Sequence, residues 1–246
     1  MKTDLIQSPR PFLTAQWRHI AMLNFEVDPQ LLTARVPRGT ELDSWNGRTF
    51  VSMVGFRFLD TRVRNIAVPF HRDFEEVNLR FYVRHGAVDG WRRGVVFIKE
   101  LVPRAAIAWV ARNLYNEPYL ALPMSHAIRE SEGQSHVEYS WRYRKRRHAL
   151  SVQTQGPAQE IIDGSEEEFI AEHYWGYTAQ RDGGTLEYKV EHPRWRVSQV
   201  AQSNFDCDVA ALYGDCFRES ISGRPSSAFL AEGSAVTVYS GRRIDF

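Results

Sequence analysis

Residues 74–83 have the sequence FEEVNLRFYV, in which polar and apolar side chains alternate. Successive side chains of a β-strand point to opposite faces of the sheet. The alternation therefore predicts a strand with two distinct faces, one with Val77, Leu79, Phe81 and Val83 and one with Glu76, Asn78, Arg80 and Tyr82. The apolar face must pack on the core. The polar face lies either in solvent, with Glu76 and Arg80 paired along the strand, or in the wall of a cavity that suits a small polar ligand.

The neighbouring segments extend this sheet along most of the chain. FVSMVGFRF at 50–58 alternates in the same way, and GVVFIKEL at 94–101 is an apolar run of strand length. Further strand patterns lie at 17–27, 118–128, 135–144, 148–155, 185–192 and 235–241. Helix signals are fewer, and they fall after Asp28-Pro29, at 103–115, at the Ser165–Glu168 capping box that leads into 169–175, and at 208–219. No βαβ repeat or linker occurs, so we expect residues 1–246 to form one α+β domain with a large, mostly antiparallel sheet.

The composition argues against several classes of protein. The 246 residues include 31 Lys and Arg against 30 Asp and Glu, which is not the balance of a globally basic nucleic-acid-binding protein. No segment is apolar over the roughly 18 residues of a membrane helix, and no apolar segment of the secretory type follows Lys2. We therefore expect a cytoplasmic protein without membrane or nucleic-acid partners. Cys207 and Cys216 would lie too far apart on one predicted helix to form a disulfide.

Lysine is scarce, with four lysines beside 27 arginines. Lys99 lies within the apolar run 94–101, where desolvation would lower its pKa as an amine nucleophile requires. The simpler interpretation is a lysine at a strand end that reaches water or pairs with Glu100. The basic run 142–147 would suit phosphate, but its alternation next to a turn favours a solvated hairpin tip. The eight histidines lack metal-binding spacing, and no nucleotide-binding or hydrolase motif occurs, so we predict neither a metal nor a cofactor.

Several segments together resemble the YqjF-like family of uncharacterised bacterial proteins. They are FEVDPQLLTARVPRGTELD, FEEVNLRFYV, GVVFIKE, ARNLYNEPYLALPM, EHYWGYT, EHPRW and FLAEGSAVTVY. That family is similar in turn to acetoacetate decarboxylase, whose fold is a cone-shaped antiparallel β-barrel wrapped by a larger sheet, with the active site inside the cone. The resemblance covers nearly the whole chain and implies this fold, with few short helices.

The resemblance also shows where the chain departs from the decarboxylase. That enzyme has an Arg-Glu pair, an aromatic-Gly dipeptide and then Pro-Lys-Lys, whose first lysine forms a Schiff base with a β-keto acid. The matching positions here hold Arg112-Asn113, Tyr115-Asn116 and Pro118-Tyr119-Leu120. Without an amine at either lysine position, the imine cannot form there. The resemblance therefore implies that Schiff-base decarboxylation in the parental manner is lost.

Glu76 resembles the cavity glutamate of the decarboxylase on the equivalent strand, which favours the cavity interpretation of its face. On this basis we expect a small polar or carboxylate-bearing ligand, with Arg80 holding an anionic group and Glu76 acting as general acid/base or hydrogen-bond acceptor. Further ligand contacts are expected from Asn78, Tyr82, Arg112 and Tyr119. One version of this hypothesis is a metal-independent lyase, hydratase or isomerase without a covalent amine intermediate, and the other is a non-catalytic binding or sensor protein. The oligomeric state is left open, with a homo-oligomer as one option.

Overall fold

The computed structural model describes residues 11–67, 71–104 and 116–244, and strands dominate them. The strands of these residues are β1 Pro11–Glu26, β2 Glu41–Leu42, β3 Phe50–Val63, β4 Ile66–Ala67, β5 Phe74–Ala87, β6 Gly90–Val102, β7 Tyr119–Ala121, β8 Met124–Ser131, β9 Gln134–Tyr143, β10 Arg146–Thr154, β11 Gln159–Glu160, β12 Trp175–Ala179, β13 Thr185–Glu191, β14 Arg196–Asp206, β15 Ser227–Ala231, β16 Ala235–Tyr239 and β17 Arg242–Arg243. The helices are α1 Gln30–Thr33, α2 Glu166–Ala171, α3 Val209–Tyr213 and α4 Arg218–Ile221, with a 3₁₀ turn at Asp215–Phe217. The predicted α+β class with few short helices is confirmed. Within the described residues, no helix has the length and apolar character needed to cross a membrane.

Seven of the strands pair in a closed ring. β1 pairs with β3, β3 with β5 and β5 with β6, all antiparallel, and β6 pairs with β12 in parallel. β12 pairs with β13, β13 with β16, and β16 returns to β1. A second series of pairings also starts at β1. In it β1 pairs with β15, β15 with β14, β14 with β10, β10 with β9, and β9 with β8. Because each ring strand has a neighbour on both sides, the ring has an inner and an outer face.

The two faces of the ring form two hydrophobic clusters. On the outer face, Val77, Leu79 and Phe81 of β5 belong to one cluster with Tyr139 and Trp141 of β9, so this face is sealed by the second run of strands. The inner cluster includes Phe50, Val54, Phe56 and Phe58 of β3 and Phe74 of β5. The outer and inner side chains of β3 and β5 are therefore those that the alternation of apolar and polar residues along each strand predicts.

Two β-bulges decide which side chains of β1 and β6 point inward. The register of β1 against β3 shifts between Arg18 and Ala21, where His19 has a φ of 53°. The register of β6 against β5 shifts between Phe97 and Lys99. An extra residue in one strand reverses the inward and outward alternation beyond it. The inward positions of β6 therefore pass from Phe97 to Glu100, and Lys99 points outward.

The short helices differ in part from the sequence expectation. Ser165 caps α2 as predicted, accepting a hydrogen bond from the Glu168 N–H at 3.2 Å, but Glu168 Oε2 returns to the N–H of Gly164. The single helix predicted at 208–219 is wrong, because Gly214 with a φ of 106° interrupts it. Cys207 and Cys216 are thus not on one helix, although neither forms a disulfide. Most of the helix predicted at 103–115 lies outside the described residues.

Candidate functional site

The interior of the ring holds a cavity of about 280 Å³. Its walls are mainly aromatic and aliphatic, with side chains such as Trp17, Phe56, Phe58, Phe97 and Trp195. The polar side chains in the wall are Thr61, His71, Glu76, Asn78, Arg80, Glu100, Glu117, Tyr119, His173 and Tyr188. An apolar cavity with a few converging polar groups is the usual form of a small-molecule site.

Glu76 lies in the wall with only 3% of its surface exposed. Asn78 Nδ2 donates a hydrogen bond to Glu76 Oε1 at 3.0 Å, and the Tyr119 hydroxyl donates to Oε2 at 3.2 Å. Burial raises the pKa of Glu76 to about 7, against the opposing effects of these two hydrogen bonds and of Arg80. A carboxyl group with a pKa near 7 can both accept and donate a proton at neutral pH.

Two more buried glutamates, Glu100 and Glu117, line the same cavity. Glu117 Oε1 accepts hydrogen bonds from the Thr178 and Tyr188 hydroxyls. Burial, together with the repulsion of neighbouring carboxylates, raises the pKa of Glu117 to about 7 and that of Glu100 well above its ordinary range. Sequence reasoning did not place these two residues in the site. A regular strand would turn Glu100 outward, and Glu117 precedes β7 outside any periodic segment.

Arg80 brings a positive charge into the cavity wall. Its Nη2 donates to the Ile170 carbonyl oxygen at 3.1 Å and lies 3.9 Å from Met22 Sδ, while its buried Nε has no hydrogen-bond partner in the part of the chain that the structure describes. No carboxylate of the described residues forms an ion pair with Arg80. The solvent-exposed pairing of Glu76 with Arg80 along the strand is therefore wrong, and the guanidinium has N–H groups available for an anion.

Tyr82 lies on the predicted face but behind the cavity wall, not in it. Its hydroxyl shares a 2.5 Å hydrogen bond with Ser52, and its ring packs 4.7 Å from His173 between centroids. His173 does line the cavity, and burial holds the pKa of its imidazole well below the usual range. Tyr82, expected to contact a ligand, therefore lies outside the cavity wall and packs behind His173, with its hydroxyl already bonded to Ser52.

The remaining sequence candidates fall into different places. Tyr119 lines the cavity, whereas Arg112 lies outside the described residues. Lys99 points away from the cavity and donates to the Leu212 carbonyl oxygen, although partial burial lowers its pKa. Lys189 pairs with Glu191, and Lys145 lies in the turn between β9 and β10. No lysine of the described residues is part of the cavity wall.

The basic run at the β9–β10 hairpin is partly neutralised by ion pairs. Arg146 pairs with Asp206, and Arg147 pairs with Glu138. All four side chains are at least a quarter exposed, so these are surface pairs. Across the described ranges, no group of three or more His, Cys, Asp or Glu side chains is arranged to hold a metal ion.

The comparisons with known proteins agree with this architecture. The family model DUF2071, uncharacterized conserved protein (COG2071), matches residues 14–235. The chain belongs to the DUF2071 family. The uncharacterized protein YqjF of Bacillus subtilis (strain 168) is 26% identical to this DUF2071 protein over 181 residues, which cover 72% of each chain.

Solved structures of other proteins share the fold of this DUF2071 protein. Acetoacetate decarboxylase from Legionella pneumophila subsp. pneumophila str. Philadelphia 1 aligns with a TM-score of 0.64 and 13% identity, over 98% of this chain and 93% of that one. The enduracididine biosynthesis enzyme MppR, complexed with pyruvate, aligns with a TM-score of 0.67 and 12% identity over 98% and 93%. At these identities the likeness shows an acetoacetate decarboxylase-like fold and nothing about activity.

Proposed function

We propose that this DUF2071 protein binds a small carboxylate-bearing molecule in the ring cavity, with the carboxylate at Arg80 and its apolar part against the aromatic wall. The observation that carries this proposal is the Arg80 guanidinium, which faces an apolar cavity with a buried, unpartnered Nε and no ion pair in the described residues. Arg80 is half-buried, and a cation in this position without an ion-pair partner in the described residues is stabilised by an anionic ligand. MppR, which shares the fold, has been solved in complex with pyruvate, a small carboxylate.

Glu76 supplies the acid/base chemistry of the proposed site. With its pKa raised to about 7, its carboxylate form removes a proton from a carbon next to a carbonyl, and its acid form returns one. Asn78 and Tyr119 hold the two carboxyl oxygens in place. The reaction class is therefore a metal-independent lyase, hydratase or isomerase reaction. It needs no amine, in keeping with a described cavity wall that contains no lysine.

The binding test compares para-toluate with its neutral analogue para-methylbenzyl alcohol by isothermal titration calorimetry. We expect para-toluate to bind at least about tenfold more tightly. Arg80→Gln should remove this difference. Arg84→Gln is the matched control, because Arg84 follows on the same strand but pairs with Glu41 and stacks on Trp91 outside the cavity. Equal affinity for the two probes, or equal loss in both variants, would show that Arg80 does not recognise the carboxylate.

The chemical test follows exchange of the pyruvate methyl protons in D₂O by NMR. Each exchange breaks a C–H bond and passes the proton to the Glu76 carboxylate, which exchanges this proton with D₂O and then returns a deuteron to the enolate carbon. We expect Glu76→Gln to lower the rate at least about tenfold, while Glu75→Gln, on the other face of β5 beside His126, leaves it unchanged. If the wild type exchanges no faster than buffer, the acid/base role is wrong and the cavity serves binding or sensing alone.

A further inference from the structure

Two acceptor atoms in the cavity wall have no hydrogen-bond partner among the described residues. They are Asn78 Oδ1 and Glu100 Oε2, and each residue is only 2% exposed. Asn78 and Glu100 are also direct neighbours in the pairing of β5 with β6, so both atoms belong to one part of the wall. Leaving a buried acceptor unpaired is unfavourable, and a donor from the ligand would offset that cost.

The surroundings of Glu100 are acidic. The groups that act on its pKa besides burial are Glu117, Glu76 and Tyr119, none of which carries a positive charge. Arg80 is the nearest guanidinium in the wall along β5, and its Nη2 is bonded to the Ile170 carbonyl oxygen. Glu100 thus lies among buried carboxyls with no cation of the described residues acting on it, and beside an unpaired amide oxygen this favours a positively charged donor over a neutral one.

We propose that the ligand of the cavity carries a protonated amine that binds Asn78 Oδ1 and Glu100 Oε2, at the opposite end from its carboxylate. The carboxylate end rests on the function proposed above, whereas the amine end rests on these two acceptors. Arg80 lies two residues beyond Asn78 on β5, and a strand rises about 3.3 Å per residue. The Cα positions of these two residues are therefore about 7 Å apart, and the proposed ligand separates its amine from its carboxylate by a spacer rather than carrying both on one carbon as an α-amino acid does.

The aromatic part of the cavity wall determines the rest of the ligand. Phe58 and Phe74 stack with centroids 4.6 Å apart, and Trp17 packs edge-on against Phe56 at 5.2 Å. These rings offer flat apolar surface to a flat apolar body. The predicted ligand class is thus an amino acid in which an aromatic or similar apolar spacer separates the amine from the carboxylate.

Three matched probes test this assignment by isothermal titration calorimetry with the full chain. They are para-(aminomethyl)benzoate, para-toluate and para-methylbenzylamine, which carry both charged groups, the carboxylate alone and the amine alone. We expect para-(aminomethyl)benzoate to bind at least about tenfold more tightly than para-toluate. Glu100→Gln should reduce this advantage below about threefold without weakening para-toluate. Glu75→Gln, outside the ring, should preserve it.

The outcomes separate this inference from the proposed function. If para-toluate binds as tightly as para-(aminomethyl)benzoate, or if the full advantage survives in Glu100→Gln, the amine site is wrong while the carboxylate site stands. If para-methylbenzylamine binds and loses affinity in Glu100→Gln while neither benzoate binds, the amine site stands and the Arg80 role is wrong. Binding of none of the three probes overturns both. Should Glu100→Gln fail to fold, the affinities of the same probes are compared between the wild type and Asn78→Leu. An unchanged preference for para-(aminomethyl)benzoate over para-toluate in Asn78→Leu would then show that the amine site is wrong.

Discussion

Replacing Glu117 by glutamine should flatten the dependence of stability on pH. Glu117 is buried, and its Oε1 accepts hydrogen bonds from Thr178 and Tyr188. The side-chain oxygen of glutamine can accept the same two bonds. The substitution therefore removes the titrating proton while keeping the local contacts, so the change in pH dependence reports the carboxyl group itself.

The size of the change in the free energy of unfolding follows from the pKa of Glu117. Burial raises that pKa from 4.5 to about 7, so between these values the folded state keeps a proton that the unfolded state has lost. The contribution of this group to the free energy of unfolding is fully present below pH 4.5 and is lost as the pH rises through about 7. At about 1.36 kcal/mol per pKa unit, the loss is about 3 kcal/mol. For a chain of 246 residues this corresponds to a Tm shift of about 6 °C.

Urea unfolding of the wild type and of Glu117→Gln at pH values of about 4 and about 8 measures this difference. We expect the free energy of unfolding of the wild type to fall by about 3 kcal/mol more than that of the variant over this range. Glu219→Gln, an exposed position on α4, serves as the control and should follow the wild type. Parallel profiles for the wild type and Glu117→Gln would refute the argument that burial of this carboxyl destabilises the fold at high pH.

Three further predictions concern the framework around the cavity. Glu187 is fully buried and binds Arg92 and Arg242, so Glu187→Gln should lower the free energy of unfolding in urea by about 3 kcal/mol, and an unchanged value would contradict a structural role for these ion pairs. A Cβ at Gly94 would lie 2.6 Å from the Trp175 carbonyl oxygen, so Gly94→Ala should cost about 1–3 kcal/mol in the same assay, whereas Gly223→Ala, with open space around it, should cost less than about 0.5 kcal/mol. Borohydride reduction with acetoacetate should add no mass to Lys99 by peptide mass spectrometry, since its amine faces Leu212, and an adduct there would restore Schiff-base chemistry.

The local features of this protein follow directly from its sequence. The two faces of β5 can be predicted from residues 74–83 alone, because the alternation of side chains along a strand does not depend on the rest of the chain. The cap of α2 at Ser165 can be predicted for the same reason. The resemblance to acetoacetate decarboxylase, which the sequence also reveals, implies that Tyr119 and Leu120 stand at its two lysine positions.

The composition of the site was decided by the tertiary structure. Sequence periodicity alone puts Lys99 beside Phe97 and turns Glu100 away, and only the bulge in β6, set by its pairing with β5, reverses them. Glu76, Glu100 and Glu117 meet because ring closure brings separate strands and a loop together, and their raised pKa values come from the burial that closure produces. Alternation is a property of neighbouring residues, whereas strand register and desolvation depend on contacts between residues far apart in the chain. For this reason the sequence predicted the face with Glu76, Asn78 and Arg80, but not the presence of Glu100 and Glu117 in the site.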